Sequence, residues 1–141
     1  MKSYLNHSFS PDHPELISVI DELPLWSAPF GLKLLDLVEI KTNIKALDVG
    51  CGLGFPLIEM AQRLGETSTL FGLDPWQEAL NRVNLKIKAY SIKNVEVLLG
   101  KAENMPFENQ AFDLLLSNNG SQLDGYPISY GLFLDDFFTV S

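Results

Sequence analysis

Cysteine is nearly missing from this chain: Cys51 is the only one. No intrachain disulfide can form, and a cysteine-rich structural metal site is excluded. Histidine is almost as scarce. His7 and His13 both lie in the polar N-terminal stretch, where they read as solvated or capping residues, and no metal site is expected. Positive charge is short as well, with 10 Lys and Arg against 18 Asp and Glu and a formal net charge of -8. That balance denies the chain the basic footprint by which proteins hold a phosphate backbone, so no nucleic-acid partner is expected, while a small cationic ligand stays compatible. Apolar runs are short: none approaches the roughly 18 residues of a membrane-crossing helix. The opening Met1-Lys2-Ser3-Tyr4-Leu5-Asn6-His7 has no signal-peptide core. A cytoplasmic protein with no membrane partner is the expectation. No internal repeat and no low-complexity segment interrupts the chain.

What is present is ordinary in amount and ordered in pattern. A chain of 141 residues, 46% hydrophobic and 20% charged, fits one globular domain with a real core. Asp12 and Pro14 suit the start of a first helix. The prolines of Leu23-Pro24-Leu25-Trp26-Ser27-Ala28-Pro29 break it, and Leu34, Leu35 and Val38 predict a second helix over about Phe30 to Val38. From Ile44 onward strands alternate with helices. Strands are predicted at Ile44 to Val49, Thr69 to Leu73, Val95 to Leu99 and Phe112 to Leu116. Pro56 suits a first helical turn, Leu57, Met60, Ala61 and Leu64 recur at helical spacing, and Gly65 closes that helix. Another helix follows Pro75, with Leu80, Val83, Ile87 and Tyr90 on one face. The link from Gly100 to Ala111 reads as mostly irregular. Alternation of this kind calls for an α/β fold with a parallel sheet.

Chemistry concentrates in Ala46-Leu47-Asp48-Val49-Gly50-Cys51-Gly52-Leu53-Gly54-Phe55-Pro56. A buried strand runs into an acid and then a glycine at every second position, a pattern that turns the backbone tightly and brings a helix N-terminus close to a ligand. The dinucleotide fingerprint G-x-G-x-x-G fails, because Phe55 stands where its third glycine belongs. A phosphate-cradling loop would end in Gly-Lys-Ser/Thr, and this one ends Gly-Phe-Pro. Asp48 would repel phosphate and suits an ammonium group. Asp74 closes the second strand at what reads as an exposed tip. There it can accept hydrogen bonds from vicinal ribose hydroxyls, cap the helix after Pro75, or do both.

Taken in order, Asp48-x-Gly50-x-Gly52-x-Gly54, Asp74, Gly100-Lys101-Ala102-Glu103-Asn104-Met105-Pro106-Phe107 and Phe112-Asp113-Leu114-Leu115-Leu116-Ser117-Asn118 resemble the class I S-adenosylmethionine-dependent methyltransferases. The resemblance is closest to the small-molecule type and covers roughly Leu35 to Gly120. It implies a Rossmann-like doubly wound parallel sheet of strand order 3-2-1-4 and S-adenosylmethionine as cofactor. By the same resemblance the glycine loop (Gly50, Gly52, Gly54) holds the methionine end, Asp48 reaches its amino group, and Asp74, followed by Pro75, binds the ribose. Ala102 matches the backbone donor to adenine. Lys101 stands where the family has an acid, which leaves Glu103 for that polar role. Ser117 and Asn118 match the position lining the sulfonium and the incoming acceptor. Trp26 and Phe30 either help cover the cofactor or pack in the core, and Trp76 either covers adenine or packs likewise.

The family sheet normally has seven strands, and about 20 residues after Gly120 are too few for its second half. The expected organisation is therefore a helical cap over residues 1–40, a cofactor-binding half-domain over 41–120 and a divergent tail over 121–141, a truncated form of a longer enzyme. An apolar fourth strand would be an open edge. Either the tail pairs with it, or a second copy does and forms a homodimer through strand four. The expected function is methyl transfer to a small-molecule acceptor, with no residue declaring itself as a catalytic base. The alternative is a non-catalytic cofactor-binding or interaction module. A nucleotide-dependent oxidoreductase is disfavoured by the missing third glycine.

Overall fold

The computed structural model describes Asp21, residues 28–118 and the backbone of residues 131–134. The helix expected after Asp12, together with His7, His13 and Trp26, lies outside the described residues. Helix α1 spans Ala28–Leu37 and turns Gly31, Leu34 and Leu35 inward, the i, i+3, i+4 spacing of one apolar stripe. Strand β1 (Lys45–Val49) follows, then α2 (Leu57–Leu64), β2 (Thr69–Asp74), α3 (Gln77–Ala89), β3 (Val95–Leu99), a 3-10 turn at Ala102–Asn104, β4 (Leu114–Ser117) and β5 (Gly131–Leu134). The sheet order is β3-β2-β1-β4-β5. The first four strands are parallel, with Asp48 beside Gly72 of β2 on one side and Leu116 of β4 on the other. The order 3-2-1-4 implied by the resemblance is the order observed. Strand β5 runs antiparallel along β4, pairing Leu114 with Leu134 and Ser117 with Gly131. The tail thus covers the edge of β4, one of the two arrangements expected of it.

Central strands explain why the alternation was so readable. β1 is flanked by strands on both sides and is buried from Ala46 to Val49, so a continuous apolar run marks it. On one face, Leu34, Leu35 and Val38 of the α1 region, Leu57, Met60, Ala61 and Leu64 of α2, and Leu80 and Val83 of α3 close over Ala46, Leu70, Leu114 and Leu116. On the other face, Leu47, Val49 and Leu73 lie under Met105, Phe107 and Phe112. There Phe71, Phe107 and Phe112 meet edge to face, with ring centroids 4.8 to 5.8 Å apart. Such pairs add roughly 0.5–1.5 kcal/mol beyond burial. They pin the Gly100 to Ala111 segment, irregular apart from its one 3-10 turn, across the sheet.

Element ends shift by one or two residues from expectation, and three positions show why. Pro56 occupies the cap position before α2 rather than its first turn, and Gly65, at φ +77°, closes the helix by donating its N–H to the Ala61 carbonyl. Tyr90 falls just past α3 and is 70% exposed, so the apolar face ends at half-buried Ile87. β4 begins at Leu114, two residues late. Phe112 has left the strand for the aromatic cluster, and Asp113 ties the strand's start to Lys45, accepting its N–H at 2.7 Å and donating its own to the Lys45 carbonyl at 2.8 Å.

Gly72 shows how tightly α2 sits on the sheet. A Cβ there would fall 2.6 Å from Leu57 Cδ2, 2.8 Å from Cys51 Sγ and 3.1 Å from Val97 Cγ1. The neighbours are buried or half-buried, so Gly72→Ala is expected to destabilise the protein by about 1–3 kcal/mol through overpacking. Urea denaturation of the two proteins checks this, and an unchanged midpoint would show that α2 can slide.

Candidate functional site

In an open parallel sheet the crevice for a ligand lies beyond the carboxyl ends of the strands, where the strand order reverses. Here the reversal falls at β1, whose neighbours β2 and β4 lie on opposite sides. Asp48, the glycine loop, Asp74, Ala102, Ser117 and Asn118 all sit at or just beyond those ends. The loop turns out of β1 with Gly50, Gly52 and Gly54 at φ +75°, +51° and +97°, left-handed values that side chains with a Cβ rarely adopt. Gly50 and Cys51 both donate N–H to the Leu73 carbonyl, at 2.7 and 3.2 Å. The loop is therefore anchored to β2 before it reaches α2.

Asp74 is not at an exposed tip. It is buried at 7% exposure, because the glycine loop folds back over the end of β2. Its Oδ2 accepts the Gly52 N–H at 2.8 Å, and its Oδ1 accepts the Trp76 N–H at 2.8 Å. One carboxylate thus fixes the middle of the glycine loop and the entry to α3, and each oxygen keeps a further lone pair for a ligand hydroxyl. Pro75 beside it is exposed and Trp76 half-buried.

Asp48 is the electrostatic centre of the crevice. It is wholly buried, and neither carboxylate oxygen has a hydrogen-bond partner among the described residues. Burial pushes its pKa from 3.8 up to about 7, with the nearby Asp74 charge adding to the rise. The Leu57 amide at the start of α2 offsets part of this without reaching hydrogen-bond geometry. Cys51 feels the same surroundings: burial first, then the two carboxylates, push its thiol up, which makes it an inert core group rather than a nucleophile.

At the end of β4, Ser117 Oγ donates to the Val49 carbonyl at 3.0 Å. This bond locks β4 to the last residue of β1. Asn118 is buried, and its Nδ2 has no partner among the described residues. Both line a cavity of about 370 Å³, together with Phe30, Lys33, Leu34 and Leu37 of α1. Ala102 opens the 3-10 turn after β3 and is half-buried, whereas Lys101 and Glu103 are exposed. Three residues here were not singled out from the sequence. Asp21 bridges Arg82 and Lys86 of α3, and Lys86 Nζ also donates to the Leu53 carbonyl at 2.7 Å inside the glycine loop. Only the i, i+4 spacing of Arg82 and Lys86 on α3 hinted that they share a face.

A Rossmann-like sheet with a glycine loop and two buried carboxylates at its switch point has the architecture of a domain that binds a nucleoside-bearing cofactor. Comparison with known proteins narrows the class. The methyltransferase-domain family matches residues 40–129. The demethylmenaquinone methyltransferase of Bacillus cereus (strain ATCC 10987 / NRS 248) is 38% identical over 77 residues, 55% of this chain and 32% of the relative. That of Lactococcus lactis subsp. lactis (strain IL1403) is 29% identical over 116 residues, 81% of this chain and 44% of the relative. Among solved structures, a SAM-dependent methyltransferase from Aquifex aeolicus is 27% identical with a TM-score of 0.60, covering 78% of this chain and 57% of that one. This chain belongs to the class I S-adenosylmethionine-dependent methyltransferase family, whose cofactor is S-adenosylmethionine. It spans less than half the length of those two curated relatives.

Proposed function

We propose that this chain binds S-adenosylmethionine at the β1 switch point and serves methyl transfer from it to a small, largely apolar acceptor. The observation that carries the proposal is Asp48: a buried carboxylate whose two oxygens have no hydrogen-bond partner among the described residues, beside a glycine loop. An unpaired buried charge is costly, and an α-ammonium group is the complement that would relieve it. Asp74, with spare lone pairs on two fixed oxygens, would hold the ribose hydroxyls. Gly50, Gly52 and Gly54 would follow the methionine end, and the Ala102 backbone with Glu103 would meet adenine. When bound, the cofactor supplies a methyl group already activated by a positive sulfur.

The chain's own residues then have to orient the acceptor and exclude water. Ser117, fixed on Val49, and Asn118 stand on the wall of the 370 Å³ cavity, while Phe30, Leu34 and Leu37 supply its apolar lining. Asn118 Nδ2 would donate to an oxygen of the acceptor. An apolar ring bearing a polar oxygen, the class to which the demethylmenaquinone in the relatives' names belongs, suits that lining. No residue is assigned as a base.

Calorimetry tests the binding step. S-Adenosylmethionine and S-adenosylhomocysteine are expected to bind while NAD and ATP do not, and the reverse pattern would sink the proposal. A methyl-transfer screen that includes quinol acceptors then tests the transfer step.

A further inference from the structure

Lys86 lies on α3, a helix that the proposed cofactor contacts do not use. Its ammonium group donates to the Leu53 carbonyl, between Gly52 and Gly54, at 2.7 Å, and also to the Asp21 carboxylate. Arg82 Nε, one helical turn earlier, donates to the other Asp21 oxygen at 2.7 Å. The side chains are 9% exposed at Asp21, 24% at Lys86 and 35% at Arg82. At that burial the ion pairs are poorly screened and hold their geometry better than surface pairs do. Beyond its backbone bonds to Leu73, the loop is thus gripped by two side chains: Asp74 holds the Gly52 N–H from β2, and Lys86 holds the Leu53 carbonyl from α3. Leu53 lies before α2 begins, so its carbonyl accepts outside that helix.

Resting on the cofactor assignment above, we propose that Lys86 is a positioning residue for the cofactor loop and that Asp21 aims it, so that seating of Asp21 on Lys86 and cofactor affinity are coupled. Lys86 has three donors and a flexible stem. With one donor on Asp21, its ammonium is fixed over Leu53. Without Asp21 it is drawn toward water, and the Leu53 carbonyl loses its charged donor. Coupling is reciprocal by linkage, so a cofactor that favours the gripped loop also favours the seated Asp21.

The test uses the 141-residue chain and its Asp21→Asn, Lys86→Met and Arg82→Met variants, with S-adenosylmethionine affinity read by calorimetry. Lys86→Met and Asp21→Asn are each expected to weaken binding about tenfold, in keeping with loss of a hydrogen bond to a charged group. The double variant should be no worse than Lys86→Met alone, and Arg82→Met, which leaves the Leu53 contact in place, should weaken binding less. Amide spectra of the ligand-free proteins supply an independent readout: Gly52 and Gly54 resonances should shift in Lys86→Met and Asp21→Asn. Additive losses in the double variant, or loop amides unmoved in both single variants, would overturn the proposal. If the wild-type chain binds no cofactor while the loop amides still move, the cofactor assignment fails and the grip on the loop stands.

Discussion

Asp48→Asn is expected to stabilise the ligand-free protein at alkaline pH and to weaken its hold on S-adenosylmethionine. The folded carboxyl has its pKa raised to about 7 against 3.8 for the ordinary group, chiefly by burial. Between those values the native state binds more protons than the unfolded chain, so stability falls as pH rises through that window. The penalty is absent near pH 4, grows up to about pH 7 and is constant above it. The interval corresponds to at most about 4 kcal/mol. An amide carries no charge to bury, so the variant should show a flat profile over the same window. Urea denaturation at pH 5 and pH 8.5 measures the difference, and parallel profiles in the two proteins would refute the burial of an ionised Asp48. Binding carries the opposite sign. Cofactor affinity of the wild type should drop about fivefold from pH 7 to pH 6 as the carboxyl protonates. The variant should bind at least tenfold more weakly at pH 8, with that pH dependence gone.

The same residue shows what a linear chain discloses and what it conceals. The acid-glycine spacing placed Asp48 beside the loop, and the apolar run around it marked a buried strand. Nothing local disclosed that both its oxygens would lack donors among the described residues, since that depends on how α2 starts and how β2 and β4 flank it. Strand β4 was misplaced by two residues because Phe112 extends the apolar run, and only the tertiary cluster with Phe71 and Phe107 draws it out. Tyr90 continued the α3 period past the point where the helix stops. The Asp21 to Lys86 pair joins residues 65 apart in sequence, a separation at which charge spacing carries no information. Sheet order was legible because alternating elements and the family resemblance both constrain it. Among side-chain partners, only the role of Asp74 at the entry to α3 was legible in the sequence.

The largest loss of both stability and binding is expected from Asp74→Ala. From the sequence alone the residue reads as an exposed strand tip. In the structure it accepts backbone N–H bonds from Gly52 and Trp76, each 2.8 Å long, and bonds to a charged acceptor are worth about 1.5–3 kcal/mol apiece. Removing it also removes the charge that helps push Asp48 up, which returns part of the cost. A net destabilisation of about 3 kcal/mol follows, or about 10 °C in melting temperature for a chain of this size. Asp74→Asn separates the contributions. Its single carboxamide oxygen can keep one of the two backbone bonds, so it should fall between wild type and Asp74→Ala in stability, and the pH dependence assigned to Asp48 should shift to lower pH in both variants. Cofactor binding should fall at least tenfold in Asp74→Ala, since the loop loosens and the ribose acceptor goes with it. A variant as stable as wild type that still loses cofactor would make Asp74 a ligand group alone, with the loop held by Leu73 and Lys86. A destabilised variant whose folded fraction binds normally would instead leave Asp74 only its structural task and remove the ribose from its care.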